Sequence, residues 1–96
     1  MARMPRLEVL GHVHWVGLRG NNGQAIFACE QDYRDALDFA RQAQQLYPVE
    51  VLGFSLLPTA MHWLLRPQQE AALSLWVQQL ARRFVRTING RHGRSG

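Results

Sequence analysis

The sequence predicts an α+β fold, an antiparallel sheet with helices on one face. Three observations carry this expectation. Patterned segments follow one another as strand, helix, strand, strand, helix; residues 49–66 form two apolar runs broken only by Pro58-Thr59; and the last third repeats apolar residues at helical steps. With 96 residues the chain is one domain, since chains divide only beyond roughly 200 residues.

Residues 9–18 read as the first strand, with His14, Val16 and Leu18 on one face and Val13 and Trp15 on the other. Arg19-Gly20-Asn21-Asn22-Gly23 is a turn in which Asn and Gly suit positive φ, and the short apolar run Ala25-Ile26-Phe27 follows. Asp32 is the expected N-cap of a helix bearing Tyr33, Ala36, Leu37, Ala40 and Tyr47, stopped by Pro48. Val49–Leu57 and Ala60–Arg66 are expected to pair as a hairpin, with Pro67 ending the second strand. Leu73, Trp76, Val77, Leu80, Phe84 and Ile88 then mark the core stripe of a helix from Gln69 to Asn89, with Gly90 as its stop. Arg82, Arg83 and Arg86 project from its other side, and residues 90–96 read as a flexible basic tail.

Composition narrows the function classes. Hydrophobic residues at 47% and charged residues at 19% are globular values, and no apolar run approaches the roughly 20 residues of a membrane span. The N-terminus lacks the apolar stretch of a secretory signal, so a cytoplasmic protein without membrane partners is expected. A single cysteine, Cys29, excludes an internal disulfide and Cys-rich zinc sites. All 11 basic residues are arginine. Five of them, Arg82, Arg83, Arg86, Arg91 and Arg94, lie beyond residue 81, whereas all seven acids precede it. Such a basic segment suits an anionic partner such as nucleic acid, and it equally complements a helix C-terminus.

Collinear pieces carry a resemblance. Arg19-Gly20-Asn21-Asn22, Ile26-Phe27, Asp32-Tyr33-Arg34, Leu57-Pro58, His62-Trp63-Leu64-Leu65, Arg82-Arg83-Phe84-Val85-Arg86 and the segment Asn89-Gly90-Arg91-His92-Gly93-Arg94-Ser95-Gly96 occur in order. Together they resemble the N-terminal part of the REP-associated tyrosine transposases, single-tyrosine HUH transposases of bacterial insertion sequences. The resemblance runs from about Pro5 to Gly96. It implies a ferredoxin-like sheet, β-α-β-β-α, in a chain that stops where the closing strand and the catalytic helix would begin. It also implies recognition of hairpin single-stranded DNA, and strand cleavage by a tyrosine that stays attached to a 5′ phosphate. Two histidines on one strand would hold a divalent Mg or Mn ion on the scissile phosphate.

The sequence departs from that pattern where the chemistry lies. The motif site reads Thr59-Ala60-Met61-His62, so His62 is the one metal ligand left and Ala60 offers no lone pair. Trp15 stands where the family commonly has a strand-one histidine. Tyr33 and Tyr47 both precede His62, so no residue matches the nucleophile. His12-Val13-His14 also spells a histidine pair, but it precedes Arg19-Gly20 and is expected to be a polar strand face rather than a ligand set. Trp15 and Trp63 suit either base stacking or the core.

The expectation is therefore a catalytically defective, transposase-like domain that binds DNA. Arg82, Arg83, Arg86, Arg91 and Arg94 would meet phosphates, helped by Arg19, Asn21 and Asn22. Two other readings stand beside it. One is an enzyme half whose tyrosine comes from a partner chain. The other is a protein-interaction or dimerisation module, built as a homodimer through an open sheet edge.

Overall fold

The computed structural model describes residues 8–93. Its elements are β1 (His14–Arg19), α1 (Glu30–Leu46), β2 (Val49–Leu57), β3 (Ala60–Pro67) and α2 (Ala72–His92). The three strands form one antiparallel sheet in the order β1-β3-β2. The α+β expectation and the hairpin hold, with Leu57 opposite Ala60 and Val49 opposite Pro67. A bulge between Val51 and Gly53 lets the longer β2 follow β3.

Alternation along the strands decides which face meets the helices. Val16, Leu18, Met61, Trp63 and Leu65 are buried with Trp76, Leu80 and Phe84 of α2 and Ala36, Ala40 and Ala43 of α1. The small alanines of α1 let the two helices approach closely. Trp63 and Trp76 meet edge to face, with ring centroids 5.3 Å apart, and Phe27 lies 5.1 Å from Phe84. The predicted α2 stripe is buried in full.

Three boundaries differ from expectation, each for a local reason. Residues 9–13 form a turn rather than the start of β1, because Gly11 takes φ +79 and the His12 N–H bonds the Val9 carbonyl at 3.1 Å. The N-cap of α1 is Cys29, and Asp32 sits one turn inside it, reaching back to the Ala28 and Cys29 N–H groups. Helix α2 begins at Ala72, since Ala71 is left-handed at φ +67, and it runs past Gly90 to end on left-handed Gly93. Residues 90–92, expected as tail, are thus helical, while Arg94, Ser95 and Gly96 lie outside the described residues.

Helix α2 has no side-chain cap of its own. Glu8 supplies one from the other end of the described chain: its carboxylate accepts the Leu73 N–H at 2.8 Å and the Ser74 N–H at 3.4 Å. A carboxylate there satisfies orphan donors and complements the helix dipole. Both outer strands, β1 and β2, have one side unpaired among the described residues.

Candidate nucleic-acid interface

The basic face of α2 follows from helical geometry. Counted at 100° per residue from the buried stripe, Arg82 and Arg86 fall on the far side, Arg83 on the flank and Arg91 on the stripe itself. Arg82 and Arg86 are exposed, one turn apart, with no ion-pair partner among the described residues. Arg83 lies over α1, donating to Gln42 Oε1 with its guanidinium 5.0 Å from the centre of the Phe39 ring. Arg91, expected on phosphate, spans the carboxylates of Asp32 and Asp35, so any phosphate contact would have to break two ion pairs.

Those pairs centre on Asp32, which is completely buried. One oxygen accepts the Ala28 N–H at 2.7 Å, the Cys29 N–H at 3.3 Å and His92 Nε2 at 2.9 Å; the other takes Arg91. Burial pushes this carboxyl up, but the Ala28 N–H, His92, Arg91 and Cys29 together outweigh it and lower the pKa from 3.8 to about 2. Hydrogen bonding to Asp35 and then Asp32 raises the Arg91 guanidinium further. The sequence reading missed this hub. Extending the α2 stripe three and four residues beyond Ile88 would have reached Arg91 and His92.

The loop after β1 is built to hold its shape. Gly20 packs so tightly that a β-carbon there would lie 2.1 Å from the Gln24 carbonyl oxygen. Asn22 and Gly23 take the positive φ expected of them, and the Gln24 N–H bonds the Asn21 carbonyl at 2.9 Å. The Ile26 and Phe27 N–H groups both donate to the Pro58 carbonyl, tying the loop to the hairpin turn. Exposed Arg19, Asn21 and Asn22 are therefore presented on a fixed backbone. Arg19 shares a sheet face with Trp15, turned away from α2, so the candidate arginines fall on two sides of the sheet rather than in one cluster.

That helix-free face carries His62. It lies opposite Gly17 on β1 and Ser55 on β2, and Trp15 stacks on its ring at 5.2 Å with an 18° tilt. His62 Nδ1 is shut from solvent and has no hydrogen-bond partner among the described residues, and a β-carbon on Gly17 would lie 3.4 Å from it. Ala60, on the same face, contributes only a methyl group. Among the described residues His62 belongs to no group of three or more His, Cys, Asp or Glu side chains close enough to share a metal ion, whereas Mg and Mn ions prefer several oxygen ligands. Trp15 is 66% exposed, with Leu57 at 46% and Leu64 at 41% on the same face, whereas Trp63 is core. Of the histidine pair predicted on the first strand, only His14 lies in β1, and both of its ring nitrogens are engaged with backbone. His14 Nδ1–H donates to the His12 carbonyl at 2.9 Å, and its Nε2 accepts the Val9 N–H at 3.0 Å.

This architecture matches a solved structure, that of the REP-associated tyrosine transposase bound to a REP hairpin, with a TM-score of 0.64 and 20% identity. The chain has that transposase's fold. The match covers 91% of this chain and 53% of the transposase, so the chain spans about half the length of that protein. No family model and no curated protein sequence matches the chain. In this transposase fold the Ala60–His62 strand is the middle one of the three, and the Arg82–Arg86 turn lies on the outer side of the second helix. No helix among the described residues is long and apolar enough to cross a membrane.

Proposed function

We propose that this chain is a DNA-binding domain of the REP-associated tyrosine transposase type, recognising hairpin single-stranded DNA without cleaving it. The observation that carries this reading is the fold match over 91% of the chain to a transposase bound to a hairpin. The two unpaired arginines of α2 support it. Arg82 and Arg86 offer planar donors on one helix face, with Arg83 beside them and Arg19, Asn21 and Asn22 on the rigid loop. Arg94 is assigned to the same phosphates on charge alone. Arg91 serves the fold through Asp32 and Asp35.

The donor set supports the absence of cleavage. An imidazole stacked under Trp15, with a methyl group at the neighbouring ligand position, holds a hard divalent ion poorly. Fluorescence anisotropy on a labelled single-stranded hairpin and a matched duplex, across a salt series, tests the reading. Phosphate contacts from five arginines, Arg19, Arg82, Arg83, Arg86 and Arg94, predict a log–log salt slope of about −3.5 and preference for the hairpin. Equal binding to duplex would contradict hairpin recognition, and a flat salt response would remove the DNA role.

A second reading rests on the free edges of β1 and β2 beside the apolar patch of Trp15, Leu57 and Leu64. It makes the chain a homodimerising or protein-interaction module. Light scattering separates the two: a stable dimer with no DNA affinity supports it, and a monomer that binds the hairpin excludes it. An enzyme half completed by a partner's tyrosine would need His62 to bind metal, and cleavage that survives His62→Ala would contradict that arrangement.

A further inference from the structure

The first turn of α1 and the last turn of α2 bring together three side chains of different ligand chemistry. Cys29 Sγ, an Asp32 carboxylate oxygen and a His92 ring nitrogen all lie within 4.8 Å of one another, and no other group of three or more such side chains does so among the described residues. We propose that Cys29, Asp32 and His92 form a binding site for a borderline divalent cation of the Zn²⁺ type, unrelated to His62 and independent of DNA binding.

Donor chemistry selects the ion. One thiolate, one imidazole and one carboxylate match the sulfur, nitrogen and oxygen ligands of zinc, whereas Mg²⁺ and Ca²⁺ take oxygen ligands. Bonds of about 2.0–2.3 Å put tetrahedral donors roughly 3.5 Å apart, so the site needs only a modest contraction. Cys29 is exposed, which gives the ion a path from solvent and gives the sulfur room to swing. His92 Nε2 already lies 2.9 Å from Asp32 Oδ2, and the ion would replace that hydrogen bond. The fourth position is left to water.

Charge favours the same ion. With Cys29 as thiolate, the Asp32, Asp35 and Cys29 charges against Arg91 leave the cluster two negative charges in excess, which a divalent cation neutralises. Arg91 stays on the other Asp32 oxygen and on Asp35, fixing the carboxylate as a supporting donor would. The positive end of the α1 dipole is offset by the negative end of α2 at His92. The Cys29 thiol gives up its proton to solvent on binding, so affinity rises with pH.

Titrating the full chain with Co²⁺ as an optical probe tests this. The expected result is one Co²⁺ per chain, a near-ultraviolet thiolate-to-metal band, visible bands of tetrahedral strength, and displacement of all of them by Zn²⁺. Cys29→Ser should abolish the thiolate band. His92→Gln, which keeps a donor for Asp32, should weaken affinity by at least about tenfold. Zn²⁺ should raise the thermal midpoint of the wild type more than that of either variant, with circular dichroism confirming that both remain folded. A wild type without the thiolate band overturns the site, as does binding unchanged in Cys29→Ser or His92→Gln. Loss of binding in His14→Gln instead would relocate it to the first strand and overturn it equally.

Discussion

His92 Nε2 lies 2.9 Å from Oδ2 of Asp32, so the last turn of α2 is fastened to the first turn of α1 across 60 residues of sequence. Arg91, the preceding residue, adds its guanidinium to the other Asp32 oxygen and to Asp35. The carboxylate is wholly buried and yet fully served, which is the condition under which a buried charge is tolerated. This contact ties the C-terminal end of α2 to the N-terminal end of α1.

Asp32→Asn should therefore cost about 3 kcal/mol, because Arg91 loses one of its two carboxylates and His92 its charged partner. Urea denaturation at neutral pH with a chelator present measures it. A loss below about 1 kcal/mol would mean that the cluster is a solvated surface pair.

The same carboxyl predicts an acid dependence. Its folded pKa of about 2 lies below the ordinary value of 3.8, so the stabilisation is complete above about pH 5 and lost as pH falls through 2. Linkage puts this contribution at about 2 kcal/mol. The stability gap between wild type and Asp32→Asn should narrow by that amount between pH 5 and pH 2. A constant gap would contradict the assignment.

Glu8→Ala should destabilise the fold by about 1 kcal/mol by uncapping α2, whose Leu73 and Ser74 N–H groups have this carboxylate as partner. Amide hydrogen exchange should show fraying confined to the first turn of α2. Protection there equal to wild type would show that the cap is dispensable.

Gly20→Ala should cost about 2 kcal/mol, since its β-carbon would strike the Gln24 carbonyl oxygen and force the loop off the Pro58 carbonyl. Chemical shifts of Ile26 and Phe27 report the displacement. Unchanged shifts would mean that the loop yields freely.

Much of this was legible in the amino-acid pattern because local rules and burial agree. The α2 stripe from Leu73 to Ile88 repeats at three and four residues, and the hairpin is bounded by Pro48, Pro58 and Pro67, so packing had little to override. The positive φ at Asn22 was readable from Asn-Asn-Gly. What escaped depends on distant partners. Arg91 and His92 look like tail residues until Asp32 is known to face them, and Glu8 looks like a surface acid until α2 starts without a cap. Asp32 was placed on the right turn of α1 but in the wrong position, since an acid at the cap and one a turn inside leave similar traces in sequence. The Trp15–His62 stack needs the β1–β3 register, which no local signal supplies.

The most direct test of a DNA-binding α2 face is anisotropy of the wild type against Arg82→Ala/Arg86→Ala on the same hairpin. Both side chains are exposed and without an ion-pair partner among the described residues, so folding should be unchanged. Removing two phosphate contacts should weaken binding and make the salt slope shallower by about 1.5. Wild-type affinity and an unaltered slope in the double variant would contradict the account.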